Sequence, residues 1–197
     1  MTNPLIISGP SGCGKSYLVR QLTSQYNCRR VVPTTTRAIR PGEVNGKDYH
    51  FVNEAEYGEA SKSSELFMSN NFFNAWYGIQ RKEVDEPIAS GIIPITEIYT
   101  PVVDQFIEEY QEAYRVFLLP ESLTLLESRM KARGDKEESI LFRLRGAEEE
   151  LNYFHKHAYH KYDIVLQVTE TNGSETLREI ANEASITPLI SQNERKH

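Results

Sequence analysis

The chain has 197 residues, with 28 acidic against 22 basic side chains for a net charge of −6, and it carries 11 Tyr, 8 Phe and 1 Trp. That length and apolar content suit one domain with a real core and exclude a disordered chain. The acidic balance argues against an extended nucleic-acid face or an anionic membrane surface, but leaves room for a local basic pocket.

The N-terminus, Met1-Thr2-Asn3-Pro4, has no basic n-region or small-residue cleavage site. No run of about 18 apolar residues follows, so no membrane span is predicted. Cys13 and Cys28 make neither a disulfide framework nor a zinc pattern and suit a reducing, cytoplasmic setting. Residues 4–8 read as a buried strand, a short β-branched run ending in Gly-Pro. Residues 15–26 read as a helix, with Leu18, Val19 and Leu22 at helical spacing. Residues 31–80, rich in Thr, Arg, Gly and aromatics, with Pro41-Gly42 and Asn45-Gly46 as turn signals, read as an inserted subdomain of short strands. Strands are then predicted at 92–98, 114–119 and 163–168. Helices are predicted near 81–90, 101–112, 122–132, 138–158 and 174–185. This alternation predicts an α/β fold, a parallel sheet covered by helices on both faces. The charged stretch 133–139, with Gly134 between two helical patterns, reads as a mobile lid. The polar tail from Gln192 to His197 reads as frayed.

The strongest motif is Gly9-Pro10-Ser11-Gly12-Cys13-Gly14-Lys15-Ser16, which satisfies G-x-x-x-x-G-K-S/T between a strand and a helix. Glycines let the backbone curl so that its N–H groups cradle phosphate oxygens at a helix N-terminus. Lys15 reaches the β- and γ-phosphates of ATP, and the Ser16 hydroxyl is a Mg²⁺ ligand candidate. Gly9, Ser11, Gly12, Cys13, Gly14, Lys15, Ser16 and Tyr17 are the candidate ATP-binding residues. Cys13 reads as a small packing residue rather than a redox group. Arg37 and Arg40, three residues apart among hydroxyls, can clamp a second phosphate through bidentate donors. Trp76-Tyr77-Gly78 adds a phenolic hydroxyl beside a flexible glycine.

These motifs resemble those of the guanylate kinases. The resemblance runs from Leu5 to about Val168. It includes G-P-S-G-x-G-K-S, T-T-R-x-x-R-x-G-E-x-x-G-x-D-Y-x-F at 35–51, the Tyr77-Gly78 dipeptide, and R-x-x-x-R-G-x-x-x-E-S-I-x-x-R-L at 129–144. It implies a P-loop core (1–32, 80–132 and 144–190), an NMP-binding subdomain (33–79) and a lid (133–143). It implies ATP and Mg²⁺ as cofactors and a nucleoside monophosphate as acceptor. Arg37 and Arg40 would hold the acceptor phosphate with Tyr49 and Tyr77. Arg133 and Arg143 would neutralise the transferring phosphoryl, making Lys15, Arg37, Arg133 and Arg143 the candidate catalytic set. Arg129 matches a family arginine too, with a helix-surface charge as its simpler reading.

The departures gather in the base pocket. Guanine presents N1–H and amino donors on one edge, and the family resembles itself in meeting them with a Glu. Here Met68 stands at that position, Ile79 replaces a hydroxyl residue after Tyr-Gly, and an L-D-I-D-like strand becomes Thr96-Glu97-Ile98-Tyr99. Glu97 keeps the first acid, and Tyr99 replaces the second. Pro33 stands where a Ser is usual, with Thr34 beside it. A site built for hydrogen bonds discriminates strongly, so the expectation is retained phosphate chemistry, with GMP or dGMP as acceptor if Asn70, Asn71, Asn74 or Glu97 substitutes, or, given Met68, Ile79 and Tyr99, a different or modified base. The alternatives are a non-catalytic guanylate-kinase-like binding module and a kinase acting on a modified nucleotide in DNA. The intact Lys15 and Ser16 speak against the first, and the net charge against the second. A monomer or homodimer is expected. His155, His157 and His160 read as a solvated basic helix end, and Glu148-Glu149-Glu150 as a solvated helix face.

Overall fold

A computed structural model describes residues 2–40, 42–72 and 74–189. Pro41 of the expected turn and the tail from Gln192 lie outside the described residues. In chain order the elements are β1 (Leu5–Ser8), α1 (Lys15–Gln25), β2 (Cys28–Arg30), β3 (Thr34–Thr35), β4 (His50–Phe51), α2 (Glu54–Lys62), β5 (Leu66–Phe72), β6 (Ala75–Gln80), α3 (Lys82–Ala89), β7 (Ile93–Glu97), α4 (Val103–Glu109), β8 (Tyr114–Pro120), α5 (Leu123–Ala132), α6 (Glu137–Tyr153), β9 (Ile164–Val168) and α7 (Gly173–Glu183). β1, β2 and β7–β9 form a parallel sheet in the order β2-β7-β1-β8-β9. β3–β6 form a second sheet, order β4-β3-β6-β5, with antiparallel β3–β6 and β5–β6 pairs.

The pleat sorts the first sheet's side chains into two cores. Leu5 and Ile7 of β1, with Val116 and Leu118 of β8, face Leu18, Leu22, Leu126, Leu177 and Ile180. Ile6 and Phe117 point the other way, onto Val84, Val103, Phe106 and Phe154. Each such side chain, fully buried, stabilises by about 1.5–3 kcal/mol, so the strand ends are held firmly. The strand order changes direction around β1, which opens a crevice at the carboxyl ends of the strands.

Four stretches differ from the sequence expectation. β2 is a three-residue edge strand, too short and polar to show periodicity. α2 is a helix inside a segment expected to hold only strands. Asn53 caps it, accepting from Glu56 N while the Glu56 side chain accepts from Asn53 N, both at 2.9 Å. The helix expected at 101–112 begins as a 3-10 turn, Thr100–Val102, and α4 ends at Glu109. The segment expected as helix to 158 passes from α6 into a π turn, Phe154–Ala158.

Candidate active site

The loop between β1 and α1 lies at the carboxyl end of the parallel sheet. Gly9 adopts φ +137°, and a Cβ there would stand 2.6 Å from the Leu118 carbonyl oxygen. Gly12 adopts φ +89° with Leu126 O 3.3 Å from its would-be Cβ. The glycines therefore let β8 and α5 close directly on the loop. Lys15 Nζ folds back to donate to Gly9 O at 2.5 Å and Pro10 O at 3.1 Å. Ser16 Oγ donates to Glu97 Oε2 at 3.0 Å, joining the loop to the end of β7. Cys13 is buried, and that burial raises its thiol pKa and keeps it neutral. It packs, as expected.

A cavity of about 410 Å³ adjoins the loop, lined by Cys13, Gly14, Tyr17, Arg129, Val168 and Gly173 among others. Arg129 is no surface charge. Its guanidinium donates to Gly12 O at 3.3 Å and Thr169 O at 2.7 Å, bracing the loop from α5.

The second cationic centre belongs to the four-stranded sheet. Arg37 makes a bidentate pair with Glu43, at 3.0 and 2.8 Å, and also donates to Ala38 O. Its guanidinium lies 5.3 Å from the Tyr49 ring centroid, and Tyr49 meets Tyr77 edge to face at 6.1 Å. The Glu43 bond, joined by Tyr77, raises the Arg37 pKa, and the Arg37 bond holds the Glu43 carboxyl below its ordinary range. Burial raises the Tyr49 phenol, with Tyr77 adding to it. Arg40 is exposed and joins through its backbone N–H, which donates to Glu43 Oε2 at 2.8 Å. Glu43 organises this centre. The sequence motif contained it without revealing its role.

A third cluster lies between α5 and α6. Asp135 pairs with Arg133 at 3.0 and 2.5 Å and with Arg143 at 3.2 Å. The Arg133 bond, and then the two charges, lower the Asp135 pKa. Asp135 thus gathers two cations that would repel each other if left alone. It too carried no signal beyond its charge.

The residues expected around a base divide. Glu97 sits with Ser16. Tyr99 is 43% exposed at the end of β7, its phenol pushed up by burial first and then by Glu150 and Glu149. Ile79 is buried in the apolar cluster of Phe67 and Phe106, and Met68 packs against that cluster. Met68 adopts φ +56° in a bulge of β5 between Phe67 and Asn70. Asn70 Nδ2 donates to Met68 O at 3.0 Å and to Gln105 Oε1 at 2.9 Å, and Gln105 returns a bond to Asn70 Oδ1 at 3.0 Å. That amide pair ties the bulge to α4. Glu150 departs from its expected solvated face: it is buried and accepts from Thr100.

A phosphate loop ending in Lys15 and Ser16 and two further arginine centres fit a phosphotransferase. The guanylate kinase family model matches residues 1–183. The chain belongs to the guanylate kinase family. The guanylate kinase of Idiomarina loihiensis is 35% identical over 176 residues, 87% of this chain and 81% of that one. That of Thermosynechococcus vestitus is 39% identical over 149 residues, 75% and 78% of the two chains. The crystal structure of guanylate kinase from Anaplasma phagocytophilum superposes with a TM-score of 0.71 at 26% identity, covering 93% of this chain and 85% of that one. Like its relatives, this guanylate kinase family member is an ATP-dependent nucleoside monophosphate kinase. Among the described residues no helix is long and apolar enough to cross a membrane. Nor, among them, does any group of three or more His, Cys, Asp or Glu form a metal cluster.

Proposed function

We propose that this chain transfers the γ-phosphoryl group of ATP to the phosphate of GMP. The observation that carries this reading is the set of three cationic centres, at Lys15, at Arg37 and at Arg133 with Arg143, each held by a local oxygen partner that a phosphate would replace. Gly9, Ser11, Gly12, Cys13, Gly14, Lys15, Ser16 and Tyr17 hold the donor's phosphates, with its base in the cavity bordered by Tyr17 and Arg129. Residues 33–79 bind the acceptor, whose phosphate is held by Arg37, Arg40, Tyr49 and Tyr77. The acceptor oxygen is already nucleophilic, so the protein's work is placement and charge neutralisation. Arg133 and Arg143, on the lid at 133–143, exchange Asp135 for the transferring group and exclude water. Ser16 and Glu97 offer two hard oxygens 3.0 Å apart beside the loop, a donor set that fits Mg²⁺. Bound there, Mg²⁺ neutralises charge on the β- and γ-phosphates.

The relatives' names point to guanine, while Met68 and Ile79 share an apolar cluster and favour a second reading, a base with an apolar edge such as thymine. Rates of ADP formation across GMP, dGMP, AMP, CMP, UMP and dTMP decide between them. The proposal predicts GMP as the best acceptor. A tenfold better rate with dTMP selects the second reading, and no acceptor-dependent ADP with any of them leaves a binding module.

A further inference from the structure

One stripe of α6 carries Ile140, Arg143, Ala147 and Glu150, spaced three and four residues apart. Ile140 and Ala147 are buried in the core and fix the helix laterally. Glu150, two turns beyond Arg143, is also buried, which is a costly place for a carboxylate without hydrogen bonds. Thr100 supplies two, from its backbone N–H at 3.1 Å and its hydroxyl at 2.6 Å. Thr100 is fully buried and stands three residues after Glu97, the acceptor of the Ser16 hydroxyl. The path from the P-loop to the lid helix therefore runs Ser16, Glu97, Thr100, Glu150 and up α6 to Arg143. Ser8, the last residue of β1, and Tyr162 are also buried, and that burial pushes the Tyr162 phenol up.

Lateral packing leaves a helix free to slide or turn by fractions of an ångström. A polar anchor of two directional bonds onto one carboxylate oxygen, Glu150 Oε1, does not. A misplacement of about 1 Å at a reacting centre costs about a hundredfold in rate.

We infer that Glu150 is a positioning residue for phosphoryl transfer: its two bonds to Thr100 set α6 along its axis and thereby place the Arg143 guanidinium relative to the P-loop. The inference rests on the assignment of Arg143 to the transferring phosphoryl group. Glu150 itself touches no substrate. Its effect is on kcat, since it governs where a charge sits in the transition state and not how either nucleotide binds in the ground state.

The test is a mutant cycle on the full chain, with kcat, both KM values and the thermal midpoint measured for each variant. Thr100→Val removes the hydroxyl that Glu150 accepts, Thr100→Ser restores it, and Glu150→Gln keeps an acceptor oxygen. Thr100→Val is expected to lower kcat about tenfold to a hundredfold with both KM values within about threefold. Thr100→Ser is expected to stay within about threefold of the parent, and Glu150→Gln to fall between the two. The decisive arm is the Arg143→Ala background, where Thr100→Val should cost less than about threefold more, because the anchor acts through an arginine already removed. An equal fractional loss in both backgrounds overturns the inference, as does an unchanged kcat in Thr100→Val. If Thr100→Val does not fold, the same comparison is made with Glu150→Gln, and additivity with Arg143→Ala again overturns it. A parent chain without acceptor-dependent activity contradicts the proposed function instead, so the two failures are separable.

Discussion

The phosphate end of the cleft and its base end are built on different principles. At the phosphate end, each charged side chain is held by oxygens close to it in sequence. Lys15 folds onto Gly9 and Pro10, Arg37 onto Glu43, and Arg133 onto Asp135. At the base end, Met68 is set by a bulge whose amide, Asn70, pairs with Gln105 thirty-five residues away, and Ile79 is locked into a cluster drawn from both sheets. Local bonds to charged groups make a site that any nucleotide phosphate fits. Long-range packing makes a surface whose shape one base fits.

That contrast can be broken in order of expected effect. Lys15→Ala should lower kcat by at least about a hundredfold with every acceptor, while the thermal midpoint changes little. Arg37→Ala should raise the acceptor KM by about tenfold to a hundredfold, and by the same factor for each base, because a charged hydrogen-bond pair is worth about 1.5–3 kcal/mol. A base-dependent factor there would mean that the two ends are not separate. Met68→Glu should act in reverse, shifting the ratio of kcat/KM for GMP over dTMP by about tenfold or more, with kcat for the best acceptor nearly constant. Asp135→Asn should change the rate by only a few-fold, since the phosphoryl group displaces Asp135 in any case.

The smallest effect is the pH dependence of stability. Glu43 and Asp135 have ordinary values of 4.5 and 3.8, and their arginine partners lower both in the folded chain. On acidification the unfolded chain therefore takes up these protons first. The stabilisation is complete above the ordinary values and is lost as pH falls through the depressed ones. Both carboxylates are partly covered beside their arginines, and each contributes only one ion-pair centre, so the loss is modest. Asp135→Asn should lower the thermal midpoint slightly at neutral pH, leave it nearly unchanged at the acid end, and so flatten the acid side of a plot of thermal midpoint against pH.

The same division explains what could be read from residues alone. The P-loop was legible because its chemistry is contiguous, and so were the strands whose apolar runs are buried on both faces. α2 was overlooked although Asn53 and Glu56 spell its capping box, because the surrounding Thr and aromatic residues suggested strands. Arg129, Asp135 and Glu150 are the instructive cases. Their roles depend on partners brought near by folding: the Gly12 and Thr169 carbonyls, two arginines, and Thr100. Glu150 did leave a trace, since it continues the spacing of Ile140 and Ala147, but a run of three glutamates masks a single buried one. The positive φ at Met68 left none, because a methionine rarely adopts it and only the bulge requires it.

The central claim is that the γ-phosphoryl group leaves ATP for the phosphate of a nucleoside monophosphate. ATP labelled in its γ-phosphoryl group, incubated with GMP and the full chain, tests this directly. The account predicts that the label appears in the β position of GDP, in amounts equal to the ADP formed. Label released as inorganic phosphate, or retained in ATP whatever the acceptor, would contradict it.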